Sequence, residues 1–212
     1  MSAITVVPSY PEIGKKEYME RFEPFFSARQ MRLLRAAYAF SKEGHRLQTR
    51  DSGRRYFDHV RACSWIAINE LQLHDFELHL ALLLHDIVED TYLLTIESIE
   101  MFFGEDIAIM VNLLTHREAV STERYVQNIR ESGRNPVIMA KLVDRLHNLR
   151  TLGDCPAEKQ AKQTTETREF YYPLADFLVS NIASTHLWRA EHVRDQIHQA
   201  VDRWSTNGVA AS

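Results

Sequence analysis

A chain of 212 residues with 45% hydrophobic and 25% charged side chains is long enough to bury a full core as one domain or at most two, and too apolar to be disordered overall. Seven Gly and six Pro are about half the usual share of turn formers, which argues against a β-sandwich or barrel and for long helices. A formal net charge of −4 with no long basic run leaves nucleic acid without support as a partner, while a small anionic ligand held by a few Arg and Lys stays compatible.

In chain order, an extended, Pro-containing start precedes one or two helices over 15–43 that end near Gly44. The first residues lack the apolar stretch of a signal peptide, and the longest strongly apolar run, Leu80 to Leu84, is far short of a membrane span. His45 to Arg55 (HRLQTRDSGRR) reads as a polar loop around Gly53. Residues 56–73 follow as a helix with Val60, Ile66, Ala67 and Leu71 roughly on one face. Phe76 to Val88 is apolar all round and is expected to be the central buried helix. Thr95 looks like an N-cap for a short helix stopping at Gly104, and Asp106 opens another. Ser121 or Thr122 caps a helix up to Gly133, and Asn135-Pro136 starts one through Leu152. Pro156 repeats the signal for a helix broken at Pro173, and a last helix runs from about 183 to Trp204 with a frayed tail. The expectation is all-α, with no strand hairpin. Cys63 and Cys155 have no CxxC spacing and read as reduced thiols of a cytoplasmic protein.

The chemistry concentrates in His85-Asp86-Ile87-Val88-Glu89-Asp90 at the end of the most apolar helix. Burying four ionisable groups without partners costs several kcal/mol each. On a continuous helix His85 and Glu89 are i, i+4, as are Asp86 and Asp90, so all four share one quadrant, with a metal as the simplest common partner. The alternative is a solvated helix end with casual pairing. A His and an Asp supply only two ligands. His59 is the first outside candidate, and Asp144, on the face shared by Lys141 and Asn148, is the second, its alternative being an ion pair to Arg145 or Arg150. His74, His79, His116, His186, His192 and His198 read as packed or surface residues.

RYFDHV around His59, ALLLHDIVEDT from Ala81, FFGEDIAIMV from Phe102, KLVDRLHNLRTL from Lys141 and ETREFYYPLADFL from Glu166 follow in order. Together they resemble the hydrolase domain of RelA/SpoT homologues, within the HD-domain metal phosphohydrolases. The resemblance implies a single all-α HD-domain bundle of roughly 8–11 helices, with residues 1–182 as the catalytic domain and a C-terminal helix and tail, 183–212, packed on it. It implies one Mn²⁺ held by His59, His85, Asp86 and Asp144, a set of two imidazoles and two carboxylates that suits such an ion and leaves room for water and phosphate. No thiolate is expected near it, against a structural zinc site. Glu89 and Asp90 match the family's catalytic acidic pair, which orients or deprotonates the attacking water. Asn148 and Tyr171 match contacts to the nucleotide, with Lys141 and Arg145 beside them; the alternatives are helix-surface pairing for the two charged residues, favoured for Arg145, and core packing for Tyr171.

The polar loop fits the family's first motif at Arg50, Gly53 and Tyr56, and Arg50 is expected to stack on the purine. Asp51 stands where a Lys is usual, Arg55 replaces the Pro before Tyr56, and Val60 the Pro after His59, with Arg54 and Arg55 as candidates to restore the charge. The chain ends about 30 residues after the last motif, which resembles the stand-alone small alarmone hydrolases. The implied reaction is hydrolysis of the 3′-pyrophosphate of ppGpp or pppGpp to GDP or GTP and pyrophosphate. Two alternatives stay open here: a related nucleotide (an adenine alarmone, the 2′-phosphate of NADPH, or another substrate of HD-type phosphatases), and a catalytically silent nucleotide sensor. A binding-only protein has no need of two acids facing phosphates, so Glu89-Asp90 favours the enzyme. Assembly into a homo-oligomer is open.

Overall fold

The computed structural model describes residues 13–207, with side chains to 204; the expected extended start and polar tail lie outside that range. Capping residues set the helix ends. Ser27 opens α2 (Ala28–Gly44) after α1 (Lys15–Glu20), Asp75 accepts from the Leu78 N–H to open α4 (Phe76–Leu84), and Thr95 opens α6 (Ile96–Phe103). Ser121 rather than Thr122 caps α8 (Thr122–Glu131). Between these lie α3 (Tyr56–Asn69), α5 (Ile87–Asp90) and α7 (Glu105–Leu114). They are followed by α9 (Asn135–Arg150), α10 (Ala157–Glu166), α11 (Tyr172–Asn181) and α12 (Leu187–Asn207). The described residues contain no strand, only one isolated antiparallel bridge, Thr49 to Arg55.

Two expected elements differ. The 76–88 helix breaks after Leu84 and resumes at Ile87 as α5. Pro173 does not break its helix: a π-helical turn, Thr167–Tyr171, joins α10 to α11. That wide turn accommodates a residue that has no N–H for the ladder and whose ring would crowd the preceding turn. Counting α4/α5 and α10/α11 as interrupted single helices gives ten among the described residues.

The apolar-all-round α4 lies between two cores, as its composition requires. Leu78, Ala81 and Leu82 face one built with α3, α9, α11 and α12, while Leu80, Leu83 and Leu84 face another built with α1, α2, α6 and α7. Each fully buried Leu contributes about 1.5 to 3 kcal/mol, so the C-terminal end of α4 is anchored on both sides. α12 completes the first core with Val193, Ile197 and Val201, and the Trp204 indole N–H donates to the Leu149 carbonyl at the end of α9.

His79, expected to be an ordinary packed residue, is one: its ring bridges the Ser64 hydroxyl (3.0 Å) and the Leu73 carbonyl (2.8 Å) inside the core. Burial pushes its pKa down to about 4 against the bond to Leu73. Between about pH 6.5 and pH 4 the unfolded chain therefore holds more protons, and stability falls with falling pH by up to about 3 kcal/mol from this group. Denaturant midpoints measured across that window should drop less steeply in His79→Gln than in the native chain; parallel curves would refute the assignment.

Candidate metal centre and nucleotide pocket

The break after Leu84 aims the site. Consecutive residues on a helix point about 100° apart, yet the turn at His85-Asp86 brings His85 Nε2 to 3.0 Å from Asp86 Oδ2. His59, one turn into α3, places Nε2 3.7 Å from Asp86 Oδ2 and 3.2 Å from Asp144 Oδ1 of α9, which is 3.8 Å from His85 Nε2. All four side chains are buried or nearly so. Donors bound to one ion at about 2.0–2.2 Å stand roughly 3–3.6 Å apart, so this spacing fits a shared ion.

Burial disfavours a charge on His85, but Asp86 and then Asp144 raise its pKa well above the ordinary value, so an ion here has to displace a proton from that ring; His85 Nδ1 faces the Leu82 carbonyl at 2.9 Å, the bond that turns Nε2 toward the site. Nε2 itself is buried, and its approach to Asp86 is not aligned as a hydrogen bond. For His59, burial and then the Arg50 charge push the pKa down to about 4, which keeps the ring neutral and able to ligate. Burial opposes ionisation of Asp144, but Lys141 and the two imidazoles hold its carboxyl well below the usual range; His85 does the same for Asp86.

Asp144 pairs with neither Arg145 nor Arg150. It takes Lys141 Nζ at 2.9 Å and Asn148 Nδ2 at 2.8 Å from its own helix face, while Arg150 binds Glu70. Arg145 is buried with its guanidinium 3.9 Å from the centre of the Tyr171 ring, and Tyr171 is itself 2% exposed, so both pack behind Lys141 rather than line an open cleft.

Glu89 and Asp90 are exposed on α5, three and four residues after Asp86. The single quadrant expected from a continuous helix is corrected, because the break separates their turn from His85 and Asp86. Glu89 Oε2 instead accepts from the His116 N–H at 2.7 Å. Although both residues are exposed, partial burial of the carboxyl group raises the Glu89 pKa above its ordinary value against that N–H bond, with Asp86 adding to the rise, and the same two causes raise Asp90. Both are thereby moved toward the range where a carboxylate accepts protons efficiently.

The 45–55 loop closes one side. Gly53 sits at φ +75°, a conformation that disfavours any side chain, in a turn where its N–H donates to the Arg50 carbonyl. Arg50 Nη2 donates to Asn148 Oδ1 at 2.7 Å. Asp51 pairs with Lys159 Nζ at 2.6 Å, and Arg55 pairs at the surface with Asp58 at 3.0 Å.

Sequence reasoning missed three features. Tyr56, noted as a motif match, donates from its hydroxyl to Asp86 Oδ2 at 2.8 Å. His147 places Nδ1 2.7 Å from Nδ1 of His59; its place three residues after Asp144, on the same face of α9, is the signal that could have found it. A thiol does stand nearby: Cys63 Sγ lies 3.7 Å from His59 Nδ1, i+4 on α3, and joins His59 and His147 in a second metal-capable trio. Burial, and then the charges of Asp144 and Asp86, push that thiol up, so it stays protonated and a poor ligand.

The HD-domain family model matches residues 37–178. The bifunctional (p)ppGpp synthase/hydrolase SpoT of Escherichia coli K12 is 35% identical over 173 residues, 74% of this chain and 23% of that protein. A GTP pyrophosphokinase of Streptomyces coelicolor is 35% identical over 176 residues, 80% of this chain and 20% of the relative. The chain thus spans about a fifth of the length of these curated relatives. A solved structure of a metazoan orthologue of SpoT that hydrolyses ppGpp superposes with a TM-score of 0.61 at 25% identity, covering 81% of this chain and 97% of that one.

Proposed function

The chain belongs to the HD-domain family, and on that premise we propose that it is a metal-dependent hydrolase that removes the 3′-pyrophosphate of (p)ppGpp, with one Mn²⁺ per chain held by His59, His85, Asp86 and Asp144. The observation that carries the reading is the convergence of those four donor atoms one turn before the Glu89-Asp90 pair. When bound, the ion supplies charge neutralisation for phosphate oxygens and acidifies water. Glu89, fixed by the His116 N–H, accepts the proton of the attacking water, with Asp90 alongside. Attack falls on the phosphorus next to the ribose 3′ oxygen; the water oxygen bonds to phosphorus, the bond from phosphorus to the 3′ oxygen breaks, the proton held by Glu89 returns through solvent to that oxygen as the 3′ hydroxyl, and pyrophosphate leaves. Lys141, Asn148 and Arg50 are assigned to nucleotide recognition, and Tyr171, buried under the Arg145 guanidinium, to supporting that face from within. Within the described residues, 13–182 are assigned to the catalytic domain and the helix after 183, through Val193, Ile197 and Val201, to a brace on it.

The free thiols fit a cytoplasmic setting, and among the described residues no helix is long and apolar enough to cross a membrane. The deciding experiment incubates metal-loaded protein with 3′-pyrophosphorylated guanine and adenine nucleotides and NADPH, then identifies products by chromatography. Release of pyrophosphate with GDP or GTP is expected. Turnover confined to NADPH or to adenine nucleotides would replace the substrate, and no turnover of any would leave a nucleotide sensor.

The loop geometry adds a second expectation. A planar cation over a purine contributes about 0.5 to 2 kcal/mol with little discrimination between bases, so Arg50→Ala should raise KM about 2- to 30-fold for guanine and adenine alarmones alike. Asp51→Ala, which also frees Lys159, should narrow any guanine preference. Values of kcat/KM for both nucleotides test this; if Arg50→Ala changes neither, the loop does not line the pocket.

A further inference from the structure

His147 is used by none of the steps above, yet it is buried against a candidate metal ligand. It sits on α9 three residues after Asp144, is 5% exposed, and its Nδ1 lies 2.7 Å from Nδ1 of His59. Two imidazole nitrogens at that distance share a single proton, since two protons would collide and two lone pairs would repel. The far nitrogen of His59, Nε2, points to Asp144 Oδ1 at 3.2 Å and Asp86 Oδ2 at 3.7 Å, where the ion is placed. An imidazole can ligate through Nε2 only if that atom carries no proton, so a neutral His59 ring must hold its proton on Nδ1. His147 Nδ1 is then the acceptor. Cys63 Sγ, at 3.7 Å from the same His59 nitrogen, is too far and too weak an acceptor to replace it.

We propose that His147 is a positioning residue: by accepting the Nδ1–H of His59 it fixes the tautomer and the direction of that ring, and so sets the affinity of the metal centre. This rests on the metal reading above. The arrangement parallels His85, whose Nδ1 is held by the Leu82 carbonyl at 2.9 Å. One ligand ring is locked by backbone from its own helix, the other by a side chain from α9, the helix that also carries Asp144. The outer-shell partner of a metal-bound His typically accounts for 10- to 100-fold in metal affinity.

The test is Mn²⁺ titration calorimetry on metal-stripped full-length chain, native and with His147→Asn, His147→Gln or His147→Leu. Asn puts a carbonyl oxygen where Nδ1 stood and should keep Mn²⁺ affinity within about threefold of native. Leu removes the acceptor, and Gln carries it one bond too far; both should weaken binding by about 10- to 100-fold. The contrast between Asn and Gln, two polar side chains, keeps the test decisive even if Leu does not fold. Equal losses in Asn and Gln would mean that packing alone is at stake, and native affinity in both Leu and Gln would remove any role for His147; either result overturns the proposal. A native chain that takes up no ion would overturn the metal reading instead.

Discussion

In Asp144→Ala and His85→Ala, bound Mn²⁺ is expected to fall from about one ion per chain to none, with hydrolysis lost alongside it. Each supplies one donor of a set whose His–Asp separations run from 3.0 to 3.8 Å, and three donors hold an ion far less tightly than four. The two variants should differ in stability. Asp144 is the buried partner of Lys141 at 2.9 Å, so its removal strands an ammonium group, a defect of about 3–5 kcal/mol. Asp144→Asn, which still offers Lys141 an oxygen, should fold better while binding the ion weakly. Metal content by elemental analysis, denaturant midpoints and EDTA reversal in the native chain form one experiment. Undiminished turnover in metal-free protein would sink the metal-dependent mechanism.

Glu89→Gln should separate binding from chemistry. The amide oxygen can still accept from the His116 N–H, so the side chain stays in place, and Mn²⁺ and nucleotide affinities should hold. The amide cannot take a proton, and kcat should fall by about 10² or more, the usual scale for a general base. Because partial burial and the Asp86 charge raise the pKa of both Glu89 and Asp90, the acid limb of the native kcat profile should lie above the ordinary carboxylate range of about 4. The rate falls as pH falls through that limb, since the protonated base is inactive. Calorimetry beside rate measurements decides: loss of the ion with the rate would reassign Glu89 as a ligand, and an unchanged rate would point to another base.

Much of this architecture was legible without coordinates, because it rests on local rules. Thr95 and Ser121 cap helices through bonds that span three residues, and scarce Gly and Pro mark most helix ends. An apolar-all-round segment has to be buried on every side, and α4 is. Asp144 and its partners Lys141 and Asn148 are neighbours on one helix, so their spacing alone joined them.

What the tertiary structure decided are contacts between segments far apart in the chain, which no local spacing encodes. The pairing of Arg50 with Asn148, of Asp51 with Lys159, and of His59 with His147 joins positions separated by 98, 108 and 88 residues. Each exists because helix packing places two faces together, and each gives a residue a partner that its own segment does not reveal. The break after Leu84 belongs to the same class. The sequence favours a continuous helix there, but one turn of helix cannot aim His85 and Asp86 at a common point; the packing of α4 between two cores and the facing groups of α3 and α9 hold the bent form. Sequence alone identified the residue types for the chemistry, and long-range packing turned them into a site.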